Sequence, residues 1–155
     1  MAIQNDRDFK AALTALEVPQ QRALAAQFVR RVQGLSGDPR VLTAVELAAR
    51  AAFGTVTEAE LALAAQAANT ARVESFTQCG KETDWTAQAG HFVAKAAVAC
   101  VRPAAEAAKN TESLAWDAAM QARMARTCQT VAEGSGTDNP EAIEQYRLLE
   151  ALLNS

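Results

Sequence analysis

The stretch Asp84-Trp85-Thr86-Ala87-Gln88-Ala89-Gly90-His91-Phe92-Val93-Ala94-Lys95 is the most informative in the chain. At about 100° per residue, Asp84, Gln88, His91, Lys95 and, further on, Arg102 fall along one narrow polar seam. Nearly everything else on that helix is apolar. Such a helix is buried on most sides, so this fifth helix is expected at the centre of the fold. Gly90 is the only glycine inside an expected helix, where it costs about 1 kcal/mol relative to alanine. Another backbone is therefore expected to pass close to it.

Working outward, the rest of the chain is also helical. Half of its residues are hydrophobic and only 21% are charged, a balance that argues against disorder. Of the 155 residues, 37 are alanine, the strongest helix former, and β-branched residues never gather into strand-like runs. Six of the seven glycines fall between apolar-periodic segments, and Pro19, Pro39 and Pro140 sit where helices would begin. The expected helices run from Asp6 to Leu16, from Pro19 to about Gln33, and from Asp38-Pro39 to Gly54. A capping box at Thr57-Glu58-Ala59-Glu60 opens a long helix to about Phe76, and a turn follows at Gln78 to Lys81. The fifth helix begins near Thr83 or Asp84 and runs to about Arg102, where Pro103 either kinks it or starts another. A further long helix covers about Thr111 to Ala132. Residues 134–138 read as a flexible linker, and Pro140 to Leu153 form a short terminal helix. Together these predict one all-α domain over residues 1–155, a compact bundle of seven or eight helices around the alanine-rich fifth.

Charge and motifs narrow the function. The net charge is −3 with no basic run beyond Arg30-Arg31, so nucleic acid is not an expected partner. No apolar run approaches a membrane span, and the N-terminus lacks a secretory h-region. Cys79, Cys100 and Cys128 are odd in number and lack Cys-x-x-Cys spacing, which reads as reduced thiols in a cytoplasmic protein. His91 is the only histidine, with no ligand-spaced companion, so no metal or cofactor is expected. A Cys–His pair would have to be assembled by the fold, and no phosphate loop or nucleophile motif is present, so the chain is not expected to be an enzyme.

What remains is binding. The polar seam offers Gln88, His91 and Lys95. On the last long helix, Arg123 and Arg126 lie beside Trp116, Met120 and Met124, which recur every four residues. Met and Trp favour adaptable contacts, although this stripe is first expected to pack beneath the terminal helix. Gln88, His91, Lys95, Arg123 and Arg126 are the candidate partner-binding residues. Two other readings stay open: a ligand pocket lined by Trp85, His91, Trp116 and the methionines, and a homodimeric adaptor joined through the Trp116/Met120/Met124 stripe.

Three stretches carry a family likeness: Asp38-Pro39-Arg40 with Ala44, Ala48-Ala49-Arg50-Ala51 and Gly54; Ala64-Ala65-Gln66-Ala67-Ala68 through Ala71-Arg72; and Ala89-Gly90-His91-Phe92-Val93-Ala94. Over about residues 38–101 the chain resembles the all-helical immunity family numbered five of the polymorphic toxin systems. Where that family carries further histidines on the central helix, this chain has Ala97 and Val101. The resemblance implies a non-catalytic protein that neutralises a cognate toxin, or an adaptor derived from one.

Overall fold

Four of the helix starts rest on local chemistry that the computed structural model makes explicit. It describes residues 2–78, 84–107, 109 and 112–155. Asp38 Oδ1 accepts from the Arg40 N–H at 2.9 Å and opens α3 (Pro39–Ala51). Thr57 Oγ1 accepts from the Glu60 N–H at 3.1 Å, while Glu60 Oε1 accepts from the Thr57 N–H at 3.2 Å, closing the expected box before α4 (Glu58–Gln78). Asp84 caps α5 (Trp85–Cys100) by accepting from the Ala87 N–H, and Ser113 caps α7 (Leu114–Ala132) through the Trp116 N–H. The remaining helices are α1 (Asp6–Ala15), α2 (Val18–Arg30), the single-turn α6 (Ala104–Ala107) and α8 (Glu141–Leu153), with a 3-10 turn at Gln33–Leu35. Pro103 thus ends one helix and leads into another. Gly54, at φ +73°, turns the chain after α3, a conformation that costs glycine little.

The chain is therefore all-α, a bundle of eight helices with no strand among the described residues. Of the turn expected at Gln78 to Lys81, residues 79–81 lie outside the described residues, as do Cys79 and Thr83. No helix among the described residues is long and apolar enough to cross a membrane.

α5 packs against α2, α3, α4, α7 and the 3-10 turn, the central position expected of it. Its contact with α7 is the most extensive in the molecule, because both helices face each other with small residues. Ala94, Ala96, Ala97 and Ala99 of α5 share one buried cluster with Ala118, Ala122 and Ala125 of α7, whereas Ala115 and Ala119 of α7 join a second one. Alanine methyls bury little area each, about 0.8 kcal/mol per methylene-sized group. They let the two backbones approach, and dispersion over the whole contact compensates. Larger side chains gather in the second cluster, with Phe9, Leu13, Leu24, Phe28 and Leu149. Trp116 and Met120 pack against it, as do Tyr146 and Leu152 of α8, and Trp116 meets Phe9 and Lys10 of α1. Met124 is 45% exposed.

Candidate functional site

Gly90 organises the site. A Cβ built there would stand 3.3 Å from the Leu35 carbonyl oxygen, so the expected close backbone is the 3-10 turn. Because that turn seats on Gly90, the chain leaving it runs to Pro39 across the first turns of α5. Between them lies a shallow groove of about 630 Å³, lined by Leu35, Ser36, Asp38, Arg40, Thr86 and Gly90. A smaller cavity of about 250 Å³ continues past Leu35 and Thr86 towards the end of α7, bounded there by Gln129, Ala132 and Glu133.

Arg40 ties the groove to α4. Its guanidinium donates to Asp38 at 2.7 Å and to Glu74 at 2.6 Å, bridging helix start and helix end. The Arg40 side-chain hydrogen bonds hold both carboxyls below their ordinary range. Asp84, at the head of α5, and Glu133 add further carboxylates. Among the described residues Glu133 has no ion-pair or side-chain hydrogen-bond partner. Asp38 and Arg40 line the groove and offset one another, while Glu133 lines the smaller cavity.

His91 stands next to Gly90 but faces α4, and is 8% exposed. Its Nδ1 lies 3.1 Å from the Arg72 carbonyl oxygen and 3.0 Å from Ser75 Oγ. A carbonyl can only accept, so Nδ1 carries the proton in the neutral ring and Nε2 keeps the lone pair. The Ser75 hydroxyl donates to the same carbonyl at 2.8 Å. The imidazole is flanked by Phe76 and Phe92, with centroids 5.6 and 5.7 Å away. Burial pushes its pKa below the ordinary 6.5 against the pull of the Arg72 carbonyl, and the nearby Lys95 and Arg72 charges push the same way. Lys95 lies with its Nζ 5.4 Å over the Phe92 ring, and Gln88 is half-buried one turn before His91.

The five residues expected to bind a partner do not form one site. Gln88, His91 and Lys95 share α5, whereas Arg123 and Arg126 are taken up by intramolecular partners. Arg123 donates to Asp6 at 2.8 Å and to Gln145 Oε1 at 2.8 Å, and lies over Phe9 and Tyr146. Arg126 donates to the buried Glu141 at 3.0 Å and to the Arg31 carbonyl at 2.8 Å. Both arginines join α1, α2, α7 and α8. The pocket reading fares similarly: neither cavity is lined by Trp85, His91, Trp116 or a methionine. The Cys100 thiol is buried, its pKa pushed up to about 12 by that burial, and it lies nine residues beyond His91 along α5. No group of three or more His, Cys, Asp or Glu among the described residues could hold a metal ion.

Sequence reasoning named Asp38 and Arg40 as a helix start and as part of the family likeness, and did not single out Ser36, Glu74, Thr86 or Glu133 for function. The closest available signal was Gly90, which announced a neighbouring backbone without saying which. Comparison with known protein families, curated proteins and solved structures finds no match to this chain.

Proposed function

We propose that this chain is a non-catalytic protein-binding module of the immunity type, which neutralises a cognate toxin by seating part of it on the groove beside Gly90. One observation carries the reading. The segments around Asp38-Arg40, Arg72-Glu74 and Gly90-His91 are far apart in sequence, yet the Arg40–Glu74 and His91–Arg72 contacts bring them together. These are the segments that carry the likeness to immunity proteins. The groove is wide and shallow, a shape suited to a protein surface rather than to an enclosed small molecule. The Glu133 carboxylate on the adjoining cavity suits a basic group of the partner, since complementary potentials speed encounter and select against wrong partners.

The test is affinity capture with the tagged chain from the source cell, followed by co-expression. One stoichiometric partner is expected, which arrests growth when expressed alone and loses that effect beside this chain. Thr86→Trp, an exposed position that lines both cavities, should lose the partner and the protection. Ile143→Ser, exposed on α8, should keep both. Absence of a partner, or a partner whose effect co-expression does not relieve, contradicts the immunity reading.

A further inference from the structure

The smaller cavity has a composition of its own. Leu35, Ala89 and Ala132 line it with apolar groups, Thr86, Gln129 and Glu133 with polar ones, and α5 and the end of α7 each supply both kinds. Gln129 Oε1 already receives Arg126 Nη1, which fixes that side chain. The Glu133 carboxylate is exposed and has no ion-pair or hydrogen-bond partner among the described residues. Glu133 is also the C-cap of α7, a helix of 19 residues, so the partial negative charge of that helix end falls on the same spot. The opposite wall is the start of α5, whose positive end is offset by the Asp84 cap. The nearest arginine on α7, Arg126, is committed to Glu141. A cavity of about 250 Å³ that offers both apolar groups and the exposed Glu133 carboxylate is matched by a long cationic side chain, which presents methylenes and a charge together.

We propose that this cavity takes one arginine or lysine side chain of a partner protein, its stem along Leu35 and Ala132 and its cationic head at Glu133. The inference rests on the protein-binding reading above and specifies the partner's contacting chemistry: a basic segment crossing the groove, with one cation anchored past Thr86.

The test uses the full chain, isotopically labelled, titrated at constant ionic strength with acetyl-Gly-Arg-Gly-amide and with the same peptide carrying citrulline, which has the same shape without the charge. The arginine peptide should shift the amide signals of Thr86, Ala89, Ala132 and Glu133, and the citrulline peptide should leave them nearly unmoved. Glu133→Gln should weaken the arginine response roughly two- to fivefold, the range of an exposed ion pair. Absent or scattered shifts, equal response to citrulline, or indifference to Glu133→Gln would overturn the proposal. The two readings fail separately. A captured partner lost with Thr86→Trp, alongside no arginine-specific shift, removes the cation site and leaves protein binding in place. An arginine-specific shift with no captured partner does the reverse.

Discussion

His91 reaches both the Arg72 carbonyl and Ser75 with its Nδ1, and this geometry ties α5 to α4 while the ring is neutral. Protonation would add a third positive charge to those of Lys95 and Arg72. The folded-state pKa is lowered, chiefly by burial, so the unfolded chain binds the proton more readily. The stability that follows from a neutral His91 is fully present above about pH 6.5 and is lost as the pH falls through the folded-state value. Urea unfolding at a series of pH values should show this slope in the wild type and a flatter profile in His91→Asn, which keeps a donor but cannot titrate. Equal slopes would remove His91 as the source. Gly90 makes a second prediction at this scale. Alanine there gains about 1 kcal/mol of helix propensity but meets the Leu35 carbonyl at 3.3 Å, so Gly90→Ala should fall short of that gain. Gly90→Val should cost about 2 kcal/mol or more, because its branches cannot avoid the same carbonyl. Thermal unfolding of the two variants distinguishes a tight site from a roomy one. The glycine was legible in the sequence because a costly residue inside a helix has to be explained by a neighbour. The identity of that neighbour was not legible, since Leu35 lies on a separate segment of the chain.

At the scale of the elements, helix starts were readable and helix partners were not. Caps act within three residues, so Asp38, Thr57 and Asp84 announced their helices directly. The Arg40–Glu74 contact spans 34 residues and the Arg126–Glu141 pair joins two helices, and no local pattern encodes either. Arg123 and Arg126 consequently looked available to a partner, when their role is to dock α8. That helix buries Glu141, Gln145 and Leu149 at four-residue spacing, a polar stripe rather than an apolar one. Glu141 is fully buried between Arg31, at 2.7 Å, and Arg126, at 3.0 Å. Removing it strands two guanidiniums that are only partly open to water. Glu141→Ala should therefore destabilise the protein by about 2–4 kcal/mol, short of the largest losses because both arginines can turn towards solvent. Limited proteolysis should then cut within residues 134–139 faster than in the wild type. Unchanged cleavage there would mean that α8 is held by Leu149 and its apolar neighbours instead.

Across the whole molecule, the two buried clusters carry the packing of the helices. The alanine faces of α5 and α7 make a thin, dense core, and α1, α2 and α8 enclose the larger residues around Phe9. The outer face of α4 is uncharged from Leu61 to Ala71 and leaves Leu63 and Phe76 each 67% exposed. Leu63 fills no core position, so Leu63→Lys should change stability by less than about 0.5 kcal/mol in denaturant titrations. The acidic balance of the chain was visible in its composition. That Asp38 would line a groove beside the central helix and Glu133 the cavity adjoining it was not, because these walls draw on separate segments of the chain. The groove carries the account's main claim, that this chain acts by binding a protein there. The most direct measurement is calorimetric titration of the captured partner into the wild type and into Thr86→Trp, after confirming that the two unfold at the same temperature. The account predicts at least about tenfold weaker binding to the variant, about 1.4 kcal/mol. Equal affinity for both proteins would place the partner elsewhere and contradict it.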